Sequence, residues 1–212
     1  MNNSTRITLV RHGETEWNRS GRWQGHLDAP LTLEGEAQAR ALGERLRGDV
    51  FDACYVSDLG RAVRTAELVG GPGGFRFEKD ERLRERDLGV IQGMTTEEML
   101  VRYPELYHSF RNDGPEYVVP EGESFSGFYE RCVGVVEAIA ERNQGGRVLV
   151  VTHGGALGAV FRYVAGVPLD SPRRFVLLNC SVNVVEKKDA GWNLVSWGDV
   201  AHLTGLRSLD DE

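Results

Sequence analysis

No run of apolar residues in this chain approaches the roughly 20 that cross a bilayer as a helix, which excludes a helical membrane protein. Cysteine is scarce too. Cys54, Cys132 and Cys180 are odd in number and show no CxxC spacing. Neither a disulfide framework nor a cysteine-only zinc site is expected, and a reducing, cytoplasmic setting fits. Positive charge is in deficit: 25 Lys and Arg face 32 Asp and Glu, a formal net charge of -7. Such a chain lacks the broad positive field that binds nucleic acid or an anionic membrane. Any anionic ligand must therefore be held by a local basic pocket. The segment from Met1 to Arg6 has no basic region followed by a longer apolar one, so no signal peptide is expected. The sequons at Asn2, Asn3 and Asn18 then read as chance. No helical HxxxH or HExxH pair suggests a metal.

What the chain does have is enough apolar sequence, 41% of 212 residues, for one sizeable core and a single domain over 1–212. Residues 6–11 form a short apolar strand ended by His12-Gly13. Thr32 caps a helix to about Arg47, with Gly48 as its stop. Residues 53–57 form a second strand, and Asp58 caps a helix to about Val69, closed by Gly70-Gly71. The glycine-rich stretch 70–74 lacks the Lys-Ser/Thr ending of a phosphate loop and reads as a surface turn. Thr95 and Glu98 form a capping box opening a short helix that Pro104 interrupts. A long helix is expected over 124–142, and a buried strand over 148–152 leads into His153-Gly154-Gly155 and a helix to about Ala165. A hairpin over 182–197 closes the series, and the polar sequence after Thr204 reads as frayed. Strands alternating with helices predict a three-layer α/β/α sandwich with a mostly parallel central sheet. In such sheets ligands sit beyond the carboxyl ends of the strands, and two of those ends carry His-Gly.

Taken alone, a histidine at a strand end is usually structural and an arginine is usually a solvated charge. Their combination here suggests an anion site. A phosphoryl group carries close to two negative charges and calls for guanidinium groups in bidentate geometry. Arg11 and Arg61 are the candidates.

The string Arg11-His12-Gly13-Glu14-Thr15-Glu16-Trp17-Asn18 resembles the signature of the histidine phosphatase superfamily, whose fold is phosphoglycerate mutase-like. The resemblance continues in order through Gly21-Arg22-Trp23-Gln24-Gly25, Asp28-Ala29-Pro30-Leu31-Thr32, Ser57-Asp58-Leu59-Gly60-Arg61-Ala62 and Leu83-Arg84-Glu85. It resumes at Pro120-Glu121-Gly122-Glu123-Ser124, Thr152-His153-Gly154-Gly155 and Asn179-Cys180-Ser181. It implies that His12 is a nucleophile forming a phosphohistidine and that His153 bonds the transferring oxygens. Arg11 and Arg61 would clamp those oxygens. Asn18 and Gln24 would be neutral donors, Gly25 and Gly154 would line the phosphate site, and Glu85 would give a proton to the leaving oxygen. Chemistry agrees: a neutral imidazole has a lone pair to attack phosphorus. A metaphosphate-like transition state is stabilised mainly by charge on its three equatorial oxygens, which two arginines and a protonated His153 could supply without a metal. Glu85 is the least distinct by composition, because it lies in a charge run over 80–87.

The family holds mutases and phosphatases. Family mutases have a longer segment before the second histidine, with an arginine pair for the substrate carboxylate. Here that segment is compact, and the sole Arg-Arg doublet, Arg173-Arg174, comes after His153. The His153-Gly154-Gly155 ending also resembles the phosphatase branch. The expectation is a phosphatase for a small phosphorylated metabolite, without cofactor. The alternative is a cofactor-dependent phosphoglycerate mutase, which would need a bisphosphoglycerate primer. A binding protein without turnover should have lost one of His12, Arg61, Glu85 or His153, and all four are present. Residues 94–122, with Tyr103, Tyr107, Phe110 and Tyr117, are expected to form a lid or insertion. A homodimer is common in the family.

Overall fold

The structure, a computed structural model, describes residues 4–72 and 74–210. The sequons at Asn2 and Asn3, and Gly73 of the glycine-rich stretch, lie outside the described residues. In chain order the elements are β1 (Thr5–Arg11), α1 (Glu16–Arg19), α2 (Leu33–Leu46), β2 (Ala53–Val56), α3 (Gly60–Gly70), β3 (Glu78–Lys79), α4 (Thr96–Arg102), α5 (Pro104–Asn112), α6 (Phe125–Arg142), β4 (Arg147–Thr152), α7 (Gly154–Ala165), β5 (Val182–Lys188) and β6 (Gly191–Asp199). Single 3₁₀ turns form at Glu81–Leu83 and Gly89–Ile91. Among the described residues no helix is long and apolar enough to cross a membrane.

The six strands form one sheet in the order β3-β2-β4-β1-β5-β6. Parallel pairing joins β1, β4, β2 and β3, while β5 and β6 add an antiparallel edge. Successive strand residues point to opposite faces, and β4 shows the consequence. Leu149 and Val151 pack with Ala39, Leu42, Ala62 and Ala66 of α2 and α3. Val148 and Val150 pack with Val135, Val136, Ile139 and Leu157 of α6 and α7 on the other face. Burial on both faces explains why β1 and β4 read as nearly continuous apolar runs. The three-layer sandwich is as expected.

A separate small core of Leu88, Ile91, Met99 and Val119 anchors α4 and α5, with Tyr107, Phe110 and Tyr117 packed against it. The capping box of Thr95 and Glu98 forms, and Thr32 and Ser124 cap α2 and α6. Two local expectations are corrected. Asp58 does not cap α3; Leu59 holds that position without a side-chain bond, and Asp58 pairs with Arg84. The cap comes from far away in sequence: Asp28 accepts from the backbone N–H groups of Gly60 and Arg61. Nor are residues 205–210 frayed, while 211–212 lie outside the described residues. Arg207 N–H donates to Glu34 Oε1 at 2.7 Å, Ser208 Oγ donates to the Asn179 carbonyl at 2.8 Å, and Asp210 bridges to Leu178. Their polar character reflects partners in the loops around the sheet edge rather than water.

Candidate active site

The register of β1 on β4 pairs Arg11 with Thr152. His12 and His153 are the next residues on each strand, so parallel pairing alone delivers both to one sheet edge. Their ring centroids lie 5.2 Å apart in a T-shaped contact. The loop that carries His12 is fixed from two sides. Gly13 N–H donates to Thr65 Oγ1 of α3 at 3.0 Å, and Asn179 Nδ2 donates to the His12 carbonyl at 3.1 Å.

His12 Nδ1 lies 2.8 Å from the Gly13 carbonyl, an oxygen that can only accept. That bond places the proton on Nδ1 and the lone pair on Nε2. Arg61 Nε donates to Nε2 at 3.3 Å. Arg61 is itself locked: Nη2 donates to the Gly25 carbonyl at 2.7 Å, and Nη1 to the Leu27 carbonyl and Asp28 Oδ1 at 2.9 and 2.8 Å. Asp28 thus both caps α3 and orients the first arginine in that helix.

Arg11, wholly buried, runs beneath Gly154. A Cβ on Gly154 would lie 3.3 Å from Arg11 Nε. Arg11 Nη1 donates to the Leu177 carbonyl, and to the Leu209 carbonyl at 3.1 Å. His153 Nε2 meets Ser57 Oγ at 2.7 Å, and its Nδ1 is buried without a hydrogen-bond partner. The Gln24 amide oxygen is orphaned in the same way. A buried polar atom left unmatched costs about 1–3 kcal/mol, so two at one locus point to a polar ligand. An amide can present either end, and Gln24 can turn its NH₂ to an anion. The Asn18 oxygen accepts from Thr15 N and Oγ1 at 3.1 and 3.0 Å, which leaves the amide nitrogen as the donor end of that side chain.

Glu85 sits across from this group. Its Oε2 accepts from Gly155 N–H and its Oε1 from Arg86 N–H, both at 2.8 Å. A Cβ on Gly155 would come within 2.1 Å of Oε1, so only glycine allows that approach. His26 Nε2 donates to the Glu85 carbonyl at 2.9 Å. His12, Asn18, Gln24, Gly25, Arg61, Glu85 and Gly154 line one cavity of about 620 Å³, while Arg11 and His153 lie beneath its floor. All nine residues expected at the site are therefore in one neighbourhood. Aromatic rings of Trp17, Trp23, Phe110, Phe125 and Phe128 wall the cavity. From residues 94–122 only Thr96, Glu97 and Phe110 reach it.

Burial, then the positive charge of Arg61 and Arg11, holds the His12 imidazole well below the usual histidine range. His153 is lowered by burial first and then by Arg61, His12 and Arg11. In the unliganded site both rings are therefore neutral at pH 7. Unfolded histidines titrate near 6.5, so just below that pH the unfolded chain binds more protons than the folded one. Stability is then lost as pH falls from about 6.5. The melting temperature of the unliganded protein should drop between pH 6.5 and 5, and less steeply in His153→Asn. A flat melting temperature over that range would contradict neutral burial of the pair.

Ser57, Asp28, Arg86 and Gly155 complete the site, yet sequence reasoning gave them no role. Ser57, Asp28 and Gly155 stood inside the quoted blocks, which was the available signal. Arg173 and Asp210 also line the cavity, and nothing near Asp210 in sequence announced it. Among the described residues no group of three or more His, Cys, Asp or Glu is gathered to hold a metal ion.

Two neutral imidazoles between guanidinium groups, at the carboxyl edge of this mixed sheet, define a class of phosphoryl-transfer protein. The chain belongs to the histidine phosphatase superfamily (branch 1), whose family model matches residues 7–200, and is an enzyme of the phosphatase or mutase kind. Among individual relatives, it is 38% identical over 202 residues to a Salmonella arizonae protein named "Probable phosphoglycerate mutase GpmB", covering 93% of this chain and 94% of that one. Among solved structures it resembles YhfR of Bacillus stearothermophilus, with 37% identity, a TM-score of 0.85, and 93% and 98% of the two chains covered. The α-ribazole phosphatase of Shigella flexneri shares 27% identity at a TM-score of 0.84, over 92% of this chain and 96% of that one. Mutase and phosphatase names thus both occur among close relatives.

Proposed function

We propose that the chain is a metal-independent phosphatase that hydrolyses small phosphomonoesters through a phosphohistidine on His12. The observation that carries this is the Nε2 lone pair of His12, fixed by the Gly13 carbonyl and faced by Arg61. Nε2 attacks phosphorus and the P–O bond to the alcohol breaks. Arg11, Arg61, Asn18, Gln24 and the Nδ1 side of His153 hold the three equatorial oxygens, with Gly25 and the backbone at Gly154 lining their place. The Glu85 carboxyl group gives its proton to the departing oxygen. Water then attacks the same phosphorus, passes a proton back to the Glu85 carboxylate, and the P–N bond breaks to release inorganic phosphate.

Hydrolysis is favoured over isomerisation by what surrounds the histidine. A cavity of about 620 Å³ leaves room for water beside a phosphoryl group. The lid segment offers it Thr96, Glu97 and Phe110 and lacks the arginine pair by which family mutases hold the substrate carboxylate. The aromatic walls suit an ester with an apolar or aryl alcohol. The test is phosphate release from a panel of monoesters, run with a chelator present, beside isomerisation of 3-phosphoglycerate with a bisphosphate primer. Release should exceed isomerisation and ignore the chelator. Dominant isomerisation would instead establish the mutase.

A further inference from the structure

The Arg173-Arg174 doublet has no part in the chemistry above, yet the fold brings Arg173 to the cavity. Its Nη1 donates to Asp210 Oδ1 at 2.7 Å and to the Phe175 carbonyl at 3.2 Å. Asp210 Oδ1 also accepts from Leu177 N–H at 3.0 Å. A carboxylate is therefore already seated, in a receptor made of one guanidinium group and one backbone amide. The carboxylate is the chain's own.

The preceding residue ties that receptor to the phosphoryl site. The Leu209 carbonyl accepts from Arg11 Nη1 and from Asn179 N–H, both at 3.1 Å. Consecutive Cα atoms lie about 3.8 Å apart, so Arg11 and Arg173 grip neighbouring links of one chain segment. A short molecule with a phosphoryl group at one end and a carboxylate at the other can span the same interval. The competitor is lightly held. The side chains of Arg173 and Asp210 are 27% and 29% exposed, and ion pairs so placed are weak. The segment behind Asp210 is held by polar bonds at Arg207, Ser208 and Leu209 and by the bridge of Asp210 to Leu178.

We propose that Arg173 and the Leu177 amide form a subsite for a second anionic group of the substrate, and that Asp210 competes for it. Asp210 thereby sets the preference between phosphomonoesters with and without a carboxylate. This rests on the proposed phosphoryl site around His12. It differs in place from the arginine pair of the mutases, which precedes the second histidine.

Two phosphonates that cannot be hydrolysed test it on the full chain: 3-phosphonopropionate, which carries a carboxylate, and propylphosphonate, which does not. The quantity read by calorimetry is the ratio of their affinities, in which any general loss of folding or phosphoryl binding cancels. Asp210→Asn keeps an acceptor for Leu177 N–H and should shift the ratio roughly two- to fivefold toward the carboxylated ligand, the scale of a partly exposed ion pair. Arg173→Met should shift it the other way and abolish the gain from Asp210→Asn in the double variant. Arg173→Gln is the substitute if the methionine variant is unfolded. An unchanged ratio in Asp210→Asn, or a gain that survives loss of Arg173, overturns the proposal. Phosphate release from phenyl phosphate, measured on the same proteins, reports the hydrolase reading separately. Its absence alongside a shifted ratio would remove the hydrolase and keep the subsite.

Discussion

Replacing His12 by alanine is expected to lower phosphate release by about 10⁴-fold or more, the scale seen when the nucleophile of a covalent mechanism is deleted. No other described side chain can take over. His153 has Nε2 committed to Ser57 and lies beneath the cavity floor, and His26 has Nε2 committed to the Glu85 carbonyl. Water could attack the bound ester directly, but it lacks the fixed alignment of Nε2. The assay is release from an aryl phosphate, whose good leaving group removes most of the demand on Glu85 and isolates the attacking step. A melting curve on the same variant checks folding, and labelled ester quenched in alkali should leave phosphate on the wild-type chain only. Wild-type turnover in a folded His12→Ala protein would end the phosphohistidine reading.

Arg61→Met should cost about 10² to 10⁴-fold in kcat/KM. Deleting one preorganised donor to a developing oxyanion typically costs about 10²- to 10³-fold, and Arg61 also faces the attacking nitrogen. Arg61→Lys should rescue little, because an ammonium group cannot serve His12, the Gly25 carbonyl and Asp28 in one fork. The fold should tolerate the loss better than a fully buried pair would, which is about 3–5 kcal/mol. Asp28 is 37% exposed and can turn to water. Vanadate affinity and kcat/KM should fall together while the far-ultraviolet spectrum is kept. Full activity in Arg61→Lys would mean that Arg61 acts only as a distant charge.

The residues that sequence made legible were those whose partners are local or whose faces repeat. Thr32, Thr95 and Ser124 bond three residues ahead, and the apolar runs of β1 and β4 record burial on both faces. The two histidines followed, since each stands at the end of such a run. Asp28 escaped because its partners, Gly60 and Arg61, lie more than thirty residues away. Asp58 misled for the complementary reason: it has the right chemistry at the right spot, but Arg84 holds it instead. Ser57, Gly155 and Asp210 act through contacts that only the closed sheet edge creates. The resemblance implies the specific roles, and the fold supplies the partners that fix them.

Strand β1 has one neighbour at residues 147–152 and the other at 182–188. During synthesis it therefore waits with both margins unpaired until some 140 further residues have been made, and Ile7 and Leu9 wait as long for most of the helix residues that cover them. Pairing across so long a loop is slow, and an apolar strand with open margins invites association with other nascent chains. The histidine pair is thus among the last features of the growing polypeptide to exist. A partly made chain holds neither its catalytic group nor shelter for its first strand, and escorting that strand falls to whatever meets the protein as it is born.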